Sequence, residues 1–202
     1  MEEQRIQDWE AFYRDQDVET MPWFTPELDF DFAVALKNLR VRSIHSGHVL
    51  DLGAGPGTQA IALARFGFDV VASDISGSAV RKAEARAKKE GVAIRFVKDD
   101  IFATALKGPF DMIFDRGIFH VFPPEKRNTY VQNVSGLLAK GGYLILKCFS
   151  DKEPPGEGPF RISEEEIRNS FSPALRVLNI RASLFKGVRQ PNPHALFCIL
   201  QK

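Results

Sequence analysis

Short runs of β-branched and apolar residues alternate with longer amphipathic segments through most of the chain. The runs are HVLDLG (48–53), DVVASD (69–74), AIRFVKD (93–99), FDMIFD (110–115) and YLILKCFS (143–150). Several are apolar almost throughout, as strands covered by helices on both faces are. PGTQAIALARFG lies between the first two, with Gly67 placed to stop a helix. SGSAVRKAEARAKKEG follows the second, with Ser76 as a cap and Gly91 as a stop. PPEKRNTYVQNVSGLLAKGG opens with prolines and closes with a glycine pair, the marks of a third helix. This alternation predicts a parallel sheet in an α/β layer fold.

The two ends depart from the pattern. Ile6, Trp9, Phe12 and Tyr13 follow helical spacing, and a second helix is expected from near Thr25-Pro26, carrying Leu28, Phe32, Leu36 and Leu39. Ser163 with Glu166 forms a capping box for a short helix. LRVLNIRASLF (175–185) and HALFCILQK (194–202) flank a loop containing Gly187, Pro191 and Pro193. Joined without a crossover helix, these two strands should pair antiparallel. The expected organisation is a single domain, with residues 1–45 as a helical cap and 46–202 as the α/β core.

Composition narrows the class. The 202 residues match a prior of about 150 per domain. A 26% charged and 44% hydrophobic make-up is that of a folded globular chain. The net charge of +1 supplies no field to draw in nucleic acid. Apolar stretches are only strand-sized, so no membrane span is expected. The start, MEEQRIQDWE, is acidic where a secretory signal is basic and then apolar. Cys148 and Cys198 fall within apolar runs and read as inert strand core, and a cytoplasmic location is expected. His45, His48 and His194 are too scattered for a metal site, so no metal is expected. A monomer or weak homodimer is the expected state.

The chemistry concentrates in VLDLGAGPGTQAIALARFGFDVVASDIS. Asp51, Gly53, Gly55 and Gly57 form D-x-G-x-G-x-G between a strand and a helix. Such glycines let the backbone turn tightly and approach a ligand, and the helix N-terminus adds unpaired N–H groups. Asp74 ends the next strand, where a carboxylate can accept hydrogen bonds from ribose hydroxyls. A dinucleotide fingerprint needs a small third residue: counted from Gly53 it falls on Thr58 and fails, counted from Gly55 it falls on Ala60 and passes. Asp51 tips the balance, because an acid there repels a pyrophosphate but can engage the ammonium of an amino-acid tail.

On these residues the chain resembles the class I S-adenosylmethionine-dependent methyltransferases. DLGAGPG, VVASDIS, FVKDDIF, FDMIFDRG and LLAKGGYLILKCF are similar to successive motifs of that family. DRG after the fourth strand resembles the thiopurine methyltransferase-like, small-molecule group. The resemblance implies a Rossmann-like, seven-stranded, mostly parallel sheet with an antiparallel last strand and helices on both faces. It implies that the backbone of Gly53, Ala54 and Gly55, with Gly57 beside them, passes the methionine and ribose moieties. Asp74 would bind the ribose with Ile75 next to it, and Asp100 with the backbone of Ile101 would meet the adenine. Asp99 competes with Asp100 for that role. Asp115 would sit near the reacting sulfonium, and Trp23 would close over it.

On the acceptor side, Arg116 matches an arginine that contacts substrate in thiopurine methyltransferase-like enzymes; its alternative is a salt bridge. His120 is a candidate base or donor, with packing against neighbouring aromatics as the blander reading. Arg161 and Tyr13 complete the substrate-side candidates, Arg161 having a solvated surface role as its alternative. Trp9 is expected to pack in the core. The expected function is methyl transfer from S-adenosylmethionine to a small S, O or N acceptor, aromatic or heterocyclic. The rivals are a nicotinamide-dinucleotide oxidoreductase and a non-catalytic protein that binds S-adenosylmethionine or S-adenosylhomocysteine.

Overall fold

The computed structural model describes residues 8–41, 46–156 and 158–202; Ile6, His45 and the side chain of Leu39 lie outside the described residues. One sheet holds β1 (His48–Leu52), β2 (Asp69–Asp74), β3 (Arg95–Lys98), β4 (Phe110–Arg116), β5 (Leu138–Phe149), β6 (Arg176–Leu184) and β7 (His194–Gln201). Their spatial order is β3-β2-β1-β4-β5-β7-β6. β7 runs antiparallel to β5 and β6, and the remaining neighbours are parallel. The fold is thus the Rossmann-like sheet expected from the sequence, with the C-terminal hairpin in place.

Helices α1 (Trp9–Asp15), α2 (Phe30–Val41), α3 (Thr58–Arg65), α4 (Gly77–Lys89), α5 (Pro124–Leu137) and α6 (Glu164–Phe171) surround the sheet. Side chains alternate faces along each strand. Leu50, Ile113, Leu144 and Leu146 pack with Tyr130, Val134, Ile167 and Phe171 of α5 and α6. Val49, Met112, Phe114 and Ile145 pack with Phe32 and Leu36 of α2 and with Ala60 and Leu63 of α3. Both faces are dry, which is why the strand sequences read as unbroken apolar runs. Ser163 and Glu166 form the reciprocal capping box at the start of α6.

Two boundaries differ from the sequence expectation. α2 begins at Phe30, not near Thr25-Pro26. The Asp29 carboxylate accepts the Asp31 N–H at 3.0 Å and its carbonyl accepts the Ala33 N–H at 2.9 Å, so Asp29 is the cap. The preceding turn is tied instead to α3: the Gln59 amide accepts the Asp29 N–H at 2.8 Å and donates to the Glu27 carbonyl at 3.1 Å. α5 stops at Leu137, before the glycine pair, and Leu138 already pairs with Phe110. The ladder then shifts register before Tyr143 meets Met112. Gly142 serves that irregularity, because a Cβ there would lie 2.9–3.1 Å from three carbonyl oxygens.

A glycine loop, three buried acids and an aromatic cap

The loop after β1 turns through Gly53, Gly55 and Gly57 at φ 67°, 51° and 78°, and α3 starts at Thr58. Two of these positions need glycine for different reasons. At Gly57 a Cβ would meet Ala83 of α4 at 2.8 Å, so this residue lets helix and loop pack. At Gly55 it would lie 2.6 Å from the Tyr13 hydroxyl, so the loop presents bare backbone to the cap. Ala54 is fixed by its N–H bond to the Ser73 carbonyl at 2.8 Å. The Ile118 side chain lies over Gly53.

Asp51 is buried beneath this loop. It accepts the Ala60 N–H, its Oδ2 has no hydrogen-bond partner among the described residues, and burial pushes its pKa up to about 7. Asp74, at the end of β2, accepts the Gly55 N–H and the Ser76 N–H, each at 2.9 Å. Burial outweighs those bonds and raises it to about 6. A carboxylate offers roughly four lone-pair sites, so two remain for a ligand. Ile75 beside it is an apolar side chain 49% exposed. Asp100 caps a 3-10 turn, Ile101–Ala103, by accepting the Phe102 N–H at 2.9 Å. Asp99 accepts the Ala105 N–H at 2.9 Å and keeps a buried Oδ2 without a partner among the described residues. The Ile101 side chain is core, and its carbonyl accepts from Asn133 at 2.7 Å.

At the end of β4, Asp115 is fully buried and accepts the N–H groups of Gly117, Ile118 and Phe119 and the Tyr130 hydroxyl. It holds the turn after the strand, and burial raises it to about 6. Arg116 points the other way, into the cap. It bonds Asp29 at 2.9 Å, the Trp23 carbonyl at 2.9 Å and the Lys186 carbonyl. His120 is buried between Phe149 and Phe185, its Nδ1 accepting the Phe149 N–H at 2.7 Å and its other nitrogen donating to the Gly117 carbonyl. Burial first, then Arg116 and Arg161, push its pKa down to about 3, so the ring is neutral. Arg161 donates to the carbonyls of Pro159 and Pro154 at 3.0 and 2.9 Å. Tyr13 is buried, accepts from the Trp23 indole and has its ionisation suppressed by burial. Trp9 is half-buried and packs edge-on against Trp23 and Phe12 at the margin of the cap cluster.

The profile of a family described as a methyltransferase domain matches residues 49–142. The 2-heptyl-1-hydroxyquinolin-4(1H)-one methyltransferase of Mycobacteroides abscessus is 33% identical over 68% of this chain and 62% of its own. An uncharacterized methyltransferase of Schizosaccharomyces pombe is 31% identical over 56% of this chain and 78% of its own. The chain belongs to the class I S-adenosylmethionine-dependent methyltransferases. The thiopurine S-methyltransferase of Legionella pneumophila is 27% identical, covering 83% of this chain and 81% of its own. A structure solved for the conversion of a disulfide bond into a thioacetal group during echinomycin biosynthesis superposes with a TM-score of 0.81. It is 24% identical and covers 96% of this chain and 91% of the other. The chain spans about three fifths of the length of the first curated relatives it matches.

The residues present fit the methyltransferase cosubstrate. A buried carboxylate oxygen unpartnered among the described residues, a glycine loop open to close backbone approach, a half-satisfied second acid and an exposed apolar side chain lie at consecutive strand ends. Among the described residues no group of His, Cys, Asp and Glu could hold a metal ion, and no helix is long and apolar enough to cross a membrane. Sequence reasoning missed four charged residues: Lys147 with its partners Asp29 and Asp31, and Glu10. Lys147, inside an apolar run, is buried and bonds Asp29 at 2.8 Å and Asp31 at 2.6 Å. Glu10 of α1 bonds Ser76 and Ser78. A lysine between apolar neighbours late in a strand was the available signal for the first. Nothing local marked the partners.

Proposed function

We propose that the protein transfers the methyl group of S-adenosylmethionine to a small aromatic or heterocyclic acceptor through S, O or N, releasing S-adenosylhomocysteine. The observation that carries this reading is the buried Asp51 oxygen, unpartnered among the described residues, beneath a glycine loop whose next strand ends in Asp74. Asp51 meets the ammonium, and the backbone of Gly53, Ala54 and Gly55 lies along the methionine and ribose. Asp74 accepts from the ribose, while Ile75, Ile101 and either Asp100 or Asp99 border the adenine. Tyr13 and Trp23 cover this groove, and their aromatic faces suit a sulfonium.

When bound, S-adenosylmethionine supplies a methyl carbon on a positive sulfur. The chain's own task is alignment in a dry site, worth up to ~7–11 kcal/mol. Asp115 contributes by fixing the turn that carries Ile118 over Gly53. His120, neutral and with both ring nitrogens engaged, is held as an aromatic wall beside Phe149 and Phe185. Arg116 and Arg161 lie close enough to His120 to disfavour its protonation, and with no base at hand among the described residues the proposed site favours an acceptor acidic enough to arrive as an anion. The quinolone relative is named for an N-hydroxy heterocycle of that kind.

The test is calorimetry with S-adenosylhomocysteine, followed by a panel of thiols, phenols and azaheterocycles assayed for S-adenosylhomocysteine release. Binding and turnover of an acidic heterocycle are expected. Binding with no turnover on any acceptor would leave a non-catalytic binder, and binding of NAD in its place would leave an oxidoreductase.

A further inference from the structure

The guanidinium of Arg116 gathers three distant segments. Its Nε bonds Asp29, Nη1 the Trp23 carbonyl and Nη2 the Lys186 carbonyl, and its carbon lies 4.6 Å from the Phe185 ring centroid. The side chain is only 7% exposed. Around it the two loops touch backbone to backbone. The Arg189 N–H donates to the Pro22 carbonyl at 3.1 Å, and a Cβ on Gly187 would lie 2.3 Å from that same oxygen. From Trp23 the contact continues inward. Its ring stacks on Phe12 at 5.5 Å and 28°, and its indole donates to Tyr13, whose hydroxyl abuts Gly55. On the other side Asp29 is held a second time by Lys147 at 2.8 Å.

We propose that Arg116 is a positioning residue that clasps the N-terminal cap over the glycine loop, so that the acceptor-side end of β4 sets how long the cosubstrate stays bound. Guanidinium suits the task because its fixed fork reaches three acceptors in different directions, whereas an ammonium is a point charge. The clasp explains why an arginine next to the reacting end of the sheet has its donors turned onto the protein. It also gives Gly187 a reason: only a residue without a side chain lets the 185–189 loop cross 22–23 at this distance. The inference rests on the glycine loop being the cosubstrate site.

The test uses the full chain with Arg116→Gln, Arg116→Lys and Gly187→Val. The two tryptophans, Trp9 and Trp23, both lie in the cap, so intrinsic emission of the free protein reports cap closure. Far-UV circular dichroism checks the fold, and stopped flow gives the S-adenosylhomocysteine release rate. All three variants should red-shift the emission, speed release by about tenfold or more and raise the cosubstrate KM more than they lower kcat. Arg116→Lys should resemble Arg116→Gln, because charge alone does not rebuild the fork. Unchanged emission and release with a raised acceptor KM would overturn the clasp and make Arg116 an acceptor ligand. A lowered melting temperature with wild-type release would also overturn it. If Arg116 variants do not fold, Gly187→Val alone decides by the same readouts. If the wild type binds no S-adenosylhomocysteine the proposed function fails, while the emission arm still judges the clasp.

Discussion

Glu10 of α1 holds Ser78 of α4 twice, accepting the Ser78 N–H at 3.0 Å on one oxygen and the Ser78 hydroxyl at 2.6 Å on the other. The first of those oxygens also accepts the Ser76 hydroxyl at 2.9 Å. A carboxylate from one helix therefore sits at the N-terminus of another, where the helix dipole favours negative charge. Ser76 in turn donates its N–H to Asp74, so the cap and the proposed ribose acid share one hydrogen-bonded unit.

Glu10→Ala should free α1. The hydroxyl and N–H of Ser78, with help from Ser76 and Arg81, hold Glu10 down at about 2 from its ordinary 4.5. The contact is therefore complete above pH 4.5 and is lost only as pH falls toward 2. The variant should show faster amide exchange in α1 and cosubstrate affinity about three- to tenfold weaker, with no added pH dependence above pH 5. Wild-type exchange in α1 would show that the aromatic contacts alone dock the cap.

Asp51 and Asp74 carry a pH prediction. Their folded values, about 7 and about 6, lie above the ordinary 3.8 because burial disfavours the charged form. Stability from the neutral acids is complete below about pH 4 and is lost as pH rises through 6 and 7. A bound ammonium favours the ionised form, so cosubstrate affinity should climb between pH 6 and 8. Asp51→Asn should melt higher than the wild type at pH 8, by a gain on the order of 2 kcal/mol, and should flatten the climb in affinity. Calorimetry at three pH values decides, and an unchanged climb in the variant would remove Asp51 from the site.

His120 should not behave as a base. Its pKa is depressed from 6.5 to about 3, so the stability of its neutral form is complete above 6.5 and lost as pH falls toward 3. His120→Phe leaves the Phe149 N–H buried without its acceptor, a cost of roughly 1–3 kcal/mol measurable by urea unfolding. The pH profile of kcat should keep its shape in this variant. Loss of an inflection near neutrality would make His120 catalytic.

Lys147→Met should be the most damaging single change. It leaves Asp29 and Asp31, both buried, without their shared cation, a loss of about 3–5 kcal/mol. Arg116 and Arg181 still reach one acid each, so the protein should fold but melt well below the wild type. A wild-type melting temperature would mean that these two arginines suffice.

What the sequence makes legible is local. The D-x-G-x-G-x-G loop, the cap at Ser76, the Ser163 and Glu166 box and the strand alternation each lie within a few residues, and each is found where expected. The start of α2 is not legible near Thr25-Pro26, because Gln59, thirty positions from Asp29, draws residues 27–29 out of the helix. The glycine pair reads as a helix stop, because the carbonyls that crowd Gly142 come from β4 as well as from its own strand and leave no local mark. Arg116 could be identified as important beside Asp115, but its partners Trp23 and Lys186 lie 93 and 70 positions away. Charged residues met only after folding leave no periodic trace.

The C-terminal hairpin brings the loop between β6 and β7 back against the backbone of residues 22 and 23, at the far end of the chain. The matched methyltransferase profile, 49–142, contains neither partner of that crossing. The proposed hold on the cosubstrate is thus shared between the profiled stretch and two segments outside it. Descendants of this scaffold could retune how long they retain it by changing both ends together, while the central stretch is inherited intact.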